Sequence, residues 1–384
     1  MDVERAWQQA AGRLQAVIDI TGEAEKGMLA ASRGRQRSVS NGSEDDSIAL
    51  ELAAAGQQLR ELKQLGQRAM SLGEDAMVYW LRLPNVMQFP QQRRQESVPV
   101  AEPAESVPVL YAQQAQPSAV IQRYLLGEGS SAIFMGSALA VDHHFSFSRQ
   151  RFGLEADACP ALSVSAEHHE QTLLYLPDDV PEPNMPQYQR HLDEALIQLA
   201  TVLEGQLVAL FTSHAALRSS YAAIKPILET RGILVLGHGI DGSPRQLWNI
   251  FQEQEKVVLL GTGLFWDGVE EISRAPTCIL ISRLPMPVLN DPPLAARAEH
   301  ISDQLHHLTV PLASLRVRRA LNRLVWGDSL RNAVVLFDRR ITSKEYGATV
   351  LHSLPRCSTR QAALSRMSET VLDWLTDSGS WEEK

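Results

Sequence analysis

The chain has 384 residues, 44% of them hydrophobic, and 45 acidic against 36 basic side chains give a formal net charge of −9. A chain of that size buries enough apolar surface for two or three domains, and its acidic balance excludes coating nucleic acid by bulk charge without excluding a local basic track. No stretch approaches the roughly 20 apolar residues of a membrane span, and the N-terminus lacks the basic-then-apolar layout of a signal peptide, so the expected location is the cytoplasm.

From Ala6 to Ile20, the residues Ala6, Ala10, Leu14, Val17 and Ile18 recur at three- and four-residue spacing, the stripe of an amphipathic helix. The stretch from Ser32 to Asp46 is rich in Arg, Ser and Asp with an Asn-Gly pair and reads as an exposed connector. Ile48, Leu52, Ala55, Leu59, Leu62 and Ala69 then form a near-heptad pattern, which predicts a second helix packed antiparallel on the first. Residues 1 to about 75 are therefore expected to be all-helical. Met77 to Leu81 predicts a short strand, and the Pro-, Gln- and Glu-rich segment from Pro90 to Pro108 predicts a loop.

Beyond it short apolar runs alternate with helical patterns. Strands are predicted at Ala132 to Met135, Leu207 to Phe211, Ile233 to Leu236, Val257 to Leu260, Cys278 to Ile281 and Ala333 to Phe337, with helices from about Gln187 to Leu203 and Ala215 to Thr230. Such alternation predicts an α/β domain from about residue 170 to 384, a parallel sheet covered by helices on both faces. The cysteines Cys159, Cys278 and Cys357 lie far apart with no CxxC pair, against a disulfide framework, a structural zinc site and a four-cysteine iron–sulfur cluster.

Ligands of open parallel sheets sit at the carboxyl ends of the strands, and three predicted strand ends carry unusual text. Leu207 to Phe211 runs into Thr212, Ser213 and His214, where the hydroxyls suit either an N-cap or a nucleic-acid phosphate. Val257 to Leu260 ends in Gly261, Thr262, Gly263, Leu264, Phe265, Trp266, Asp267, Gly268, Val269 and Glu270; its glycines permit close backbone approach, and its acids can orient a cation or an arginine. The stretch from Arg316 to Arg340 holds Arg316, Arg318, Arg319, Arg323, Arg331, Arg339 and Arg340 against Asp328 and Asp338, which fits either a solvated basic face or a phosphate-binding track. The histidine pairs at 143–144, 168–169 and 306–307 do not predict a metal site, because adjacent side chains do not easily face one ion.

In this order the three segments resemble motifs IV, V and VI of the DinG/XPD group of superfamily 2 DNA helicases. Leu207 to Leu217 (LVALFTSHAAL) is similar to motif IV, and Gly261 to Glu270 (GTGLFWDGVE) to motif V, usually FWEGVD. RLPMP from Arg283, with Asn290 to Pro293, resembles the LPFP…DP segment, and Lys344, Tyr346, Gly347, Leu354 and Pro355 match its K.YG…LP continuation. Ala132 to Leu139 is similar to motif III. The resemblance implies a RecA-like second motor domain over 171–384, a loop and remnant of motor domain one over 86–170, and a helical arch-like segment over 1–85.

It also implies that Thr212, Ser213, Gly261, Thr262, Gly263, Trp266, Arg318 and Arg319 face single-stranded DNA or the coupling region. Asp267, Glu270 and Arg323 would lie toward an ATP cleft, with Arg323 as arginine finger. Departures are specific: Leu139 replaces the Thr of motif III, and of the motif VI pattern QGxGRxIR only Arg323 remains. No GxxxxGK[ST] loop and no Asp-Glu-Ala-His occur in the sequence, so ATP and Mg²⁺ would require a separate first motor domain. The alternatives are a non-catalytic DNA-binding or assembly subunit and a truncated helicase reading frame.

Overall fold

The computed structural model describes residues 11–13, 15–24, 26, 51, 53–61, 63, 64, 67, 77–82, 109–127, 131–155, 159–164, 171–267, 276–322 and 331–376. They fall into two compact units, one of residues 1–116 with 289–297 and one of 117–288 with 298–384. In the first, residues 15–24 and 53–61 are helical. Lys63 Nζ donates to Gln15 Oε1, while Thr21 Oγ1 lies 3.5 Å from where a Cβ on Gly56 would stand. Residue 15 meets 63 and residue 21 meets 56, so the helices run antiparallel as the apolar stripes predict. The connector from Ser32 to Asp46 lies outside the described residues.

Strand β1 (Met77–Arg82) pairs antiparallel with β2 (Val109–Gln114), Met77 opposite Gln114. Trp80 stacks on Tyr111 with ring centroids 5.1 Å apart. The strand β2, which starts directly after Pro108, was not among the sequence-predicted elements. In the same unit Arg297 Nε donates to the Ala115 carbonyl at 2.6 Å.

The second unit is built on seven strands in the order β5-β6-β4-β7-β8-β3-β9, every neighbouring pair parallel. They are β3 (Thr172–Pro177), β4 (Leu207–Leu210), β5 (Leu234–Gly237), β6 (Val257–Gly261), β7 (Cys278–Ile281), β8 (Asn332–Leu336) and β9 (Ser358–Ala362). Alternate residues feed two cores. Leu173, Tyr175, Leu207, Ala209, Val258 and Leu280 join the helices α3 (Tyr188–Val202), α4 (His214–Glu229) and α11 (Met367–Thr376) on one face. Leu174, Val208, Leu210, Leu259 and Ile281 join α5 (Pro244–Glu253), α8 (Val310–Asn322) and α10 (Gly347–His352) on the other. Burial on both faces is why the central strands are continuous apolar runs rather than alternating ones. This is the parallel, helix-covered sheet that a RecA-like motor domain implies.

Two sequence expectations change. Ala132 to Met135 carries no strand: among the described residues no segment offers it a ladder, and Ile133 and Met135 stand exposed. Conversely β9 escapes an apolar-run search because it is the polar edge STRQA, paired on one side only. Short helices α1 (Pro117–Tyr124) and α2 (Ser146–Phe152) precede the sheet, α6 (Leu264–Asp267) follows β6, α7 is Pro292–Glu299 and α9 is Arg340–Ser343. A π-helical turn, Leu305–Thr309, leads into α8 where Pro311 has no N–H to give to the i→i−4 ladder. Gly205, at φ +101, turns α3 into β4; a Cβ there would lie 2.4 Å from the Val257 nitrogen.

Candidate nucleic-acid interface

The carboxyl ends of β5, β6 and β4 stand side by side, and the β4 and β6 loops are joined by two hydrogen bonds. Phe211 N donates to the Gly261 carbonyl at 2.8 Å, and Trp266 Nε1 donates to the Phe211 carbonyl at 2.7 Å. Trp266 is 1% exposed, so its ring is a wall and a clamp rather than a stacking surface for a base. Gly261 is a packing requirement, since a Cβ there would lie 2.5 Å from Phe265 Cγ. Gly263 is exposed with φ +59 and open space where a Cβ would be, so its backbone conformation and not crowding favours glycine.

Ser213 is the N-cap of α4, extended at φ −148, and its Oγ accepts from Ala216 N at 3.2 Å. Thr212 and Ser213 are both exposed, whereas Thr262 is buried. The structure therefore places two exposed hydroxyls, a helix N-terminus and an exposed glycine at adjoining strand ends.

Asp267, at the end of α6, meets the basic face of α8. Arg319 Nη1 lies 3.1 Å from Asp267 Oδ1 and Arg316 Nη2 lies 3.9 Å from Oδ2. Arg316 also stands 5.5 Å from the Trp266 ring centroid and reaches the Gly263 carbonyl at 3.4 Å. Burial lowers the Arg316 pKa, which Asp267 partly offsets and Arg319 adds to. The Arg319–Asp267 pair is about half exposed on both sides; such pairs contribute about 0–1 kcal/mol, so a phosphate can displace the carboxylate. Glu270 and Arg323 lie outside the described residues.

Most of the remaining basic track is engaged inside the protein. Arg318 donates from Nε to the Ser137 carbonyl at 2.7 Å and from Nη1 to the Ser353 carbonyl at 2.9 Å, and its burial lowers its pKa. It thus holds the motif III-like segment against the end of α10. Arg331 stands 4.8 Å over the Trp374 ring. Arg340 clasps Asp338, 0% exposed, through Nη2–Oδ2 at 2.6 Å and Nε–Oδ1 at 2.9 Å. Asp338 Oδ2 also accepts from Leu284 N at 2.7 Å, which anchors the RLPMP segment at the ends of β7 and β8. Tyr188 completes that joint, its one hydroxyl hydrogen shared between the carbonyls of Phe337, at 2.7 Å, and Ser282. Sequence reasoning gave Asp338 no role of its own; its place directly after an apolar strand is the signal that marks it.

Burial pushes the thiols of Cys278 and Cys357 up to about 12. Among the described residues no group of three or more His, Cys, Asp or Glu could hold a metal ion, and no helix is long and apolar enough to cross a membrane. His306 pairs with Asp303, Nδ1 to Oδ2 at 2.8 Å, and hydrogen bonds from the His306 backbone and ring lower the Asp303 pKa. His168 and His169 lie outside the described residues.

Residues 196–357 match the family model of the helicase C-terminal domain. The 3'-5' exonuclease DinG of Bacillus subtilis is 25% identical over 281 residues, covering 71% of this chain and 30% of that protein. The ATP-dependent DNA helicase YoaA of Escherichia coli is 29% identical over 232 residues, 59% of this chain and 35% of its own length. A solved structure of apo XPD aligns over 91% of this chain and 72% of its own at 14% identity with a TM-score of 0.48. This chain spans about a third of the length of these DinG and YoaA relatives. The matched residues include β4, the Gly261 loop, α8 and Asp338, and over them this chain is similar to a helicase C-terminal domain.

Proposed function

We propose that this chain serves as the second motor domain of a DinG-type DNA helicase. In this reading single-stranded nucleic acid lies along Thr212, Ser213 and Gly263, with Arg319 released from Asp267 to take a phosphate. Gly261, Thr262 and Trp266 hold that surface from behind, and Arg318 holds the α8 helix in place. The observation that carries the reading is the direct coupling of the two loops to the basic helix: Phe211 to Trp266 by a hydrogen bond, and Asp267 to Arg316 and Arg319 by charge. A ligand that moves the β4 or β6 loop thereby moves α8, which leads to Arg323.

The residues present do not fit ATP and Mg²⁺ by themselves. The sequence holds no phosphate-cradling loop, and the described residues offer no carboxylate cluster for the metal. ATP hydrolysis is accordingly assigned to a joint cleft with a separate first motor domain, to which this chain contributes Asp267, Glu270 and Arg323. No iron–sulfur cluster is assigned, since the three cysteines include no chelating pair.

The purified chain is expected to release no phosphate from Mg-ATP, with or without single-stranded DNA. Turnover should appear when a DinG-type first motor domain is supplied in trans, and Arg323→Ala should reduce it by about 10³-fold or more. Turnover by the chain alone would contradict the proposal. Persistent DNA binding without turnover in the mixture would favour a non-catalytic DNA-binding subunit.

A further inference from the structure

The end of β5 carries an imidazole that the surface above leaves unused. His238 follows Gly237, and its ring centroid lies 5.1 Å from that of His214, the first residue of α4, at an interplanar angle of 49°. On its other side Phe265 packs edge-on at 5.2 Å. His238 is half-buried, and its Nδ1 is fully buried with no hydrogen-bond partner. His214 is exposed beside Ser213, and Gly239 leaves its ring uncrowded, a Cβ there standing 3.7 Å away.

We infer that His214 and His238 form a proton-gated contact for a nucleic-acid phosphate at the end of the Thr212–Ser213 surface. This rests on the single-strand reading above. Burial lowers the His238 pKa, the charge of His214 lowers it further, and a hydrogen bond to the Thr262 backbone acts in the opposite direction. Asp241 accepts from Tyr221 at 2.9 Å and from Gly237 N at 2.8 Å and lies 3.8 Å from Lys225, so it does not neutralise the pair.

Two imidazoles this close repel when both are charged, and an anion relieves that repulsion. A buried ring nitrogen without a partner destabilises the free protein, so His238 gains from a ligand that rearranges it into a hydrogen bond. A phosphate supplies both charge and acceptors. Its negative charge raises the histidine pKa in the complex, so binding takes up a proton. Affinity therefore increases as pH falls through the bound-state pKa and levels off below the lowered free-state pKa, with a limiting slope of about tenfold per pH unit for each linked proton.

The test is anisotropy of a fluorescein-labelled oligo-dT with the full chain from about pH 8 to about pH 5.5 at constant ionic strength, for the parent and for His214→Gln plus His238→Gln. The parent should gain affinity on acidification by several-fold more than the double variant. Equal slopes in both would overturn the inference. If the parent binds no oligonucleotide at any pH, the single-strand reading fails. The pair is then decided by NMR titration of the two imidazoles with inorganic phosphate: a raised pKa for either supports the site, and unmoved pKa values overturn it.

Discussion

Arg340→Ala is expected to lower the unfolding free energy by about 3–5 kcal/mol, the cost of leaving a buried carboxylate without its cation. Asp338 is 0% exposed, and Arg340 reaches it from Nε, Nη2 and its own backbone nitrogen. Burial works against the Arg340 charge, but the hydrogen bonds and charge of Asp338 outweigh it and leave the Arg340 pKa raised. The Leu284 N–H would keep one oxygen company, but a neutral donor does not replace a guanidinium. Urea denaturation of the full chain measures the loss. The double variant Asp338→Leu with Arg340→Met should recover much of it, because removing both charges removes the desolvation penalty as well. A loss below about 1 kcal/mol for the single variant would show that solvent reaches Asp338 freely.

Trp266→Ala should be of similar size, about 3–5 kcal/mol, since the side chain is 1% exposed and its loss leaves a large cavity among Phe265 and the β-sheet core. The conservative Trp266→Phe keeps much of the volume but removes the donor to the Phe211 carbonyl. That variant should lose about 1–3 kcal/mol. It should also bind single-stranded DNA several-fold more weakly while still folded at low temperature, because one of the two hydrogen bonds that tie the β4 and β6 loops is lost. Stability measured by denaturation and binding by anisotropy separate the two effects. Unchanged binding would show that the loops are held in register without the indole.

Strands β4 to β8 were legible because a doubly covered parallel sheet leaves an uninterrupted apolar run of the sort seen at Val257 to Leu260, whereas β3 (Thr172–Pro177), equally buried and paired on both sides, was missed. The edge strand β9 was not legible, because a strand with one partner and exposed side chains needs no apolar text. Ala132 to Met135 shows the reverse case: its apolar residues satisfy the pattern, but a strand exists only where a neighbour accepts its hydrogen bonds. The glycines at 261 and 263 were both visible as sites of close approach. Only geometry separates the one that makes room for Phe265 from the one that adopts a left-handed backbone.

The charge of the Arg316 to Arg340 track was readable, but the partners were not, since Asp267, Ser137, Ser353 and Trp374 are distant in sequence from the arginines they meet. Those contacts divide arginines that composition treats alike. Arg318 is tied to two carbonyls, whereas Arg319 holds an exposed carboxylate that a phosphate can replace. His238 was equally hidden, because a lone histidine after a strand carries no signal until its neighbours are known.

The most direct test of the whole account is equilibrium binding of a fluorescein-labelled single-stranded oligonucleotide to the full chain, followed by anisotropy across a salt series. Measurable binding is expected at low salt, with log affinity falling against log salt by about 0.7 for each phosphate contacted. Arg319→Ala should weaken binding several-fold and reduce that slope. Absence of binding at low salt, where attraction between exposed charges is least screened, would contradict it.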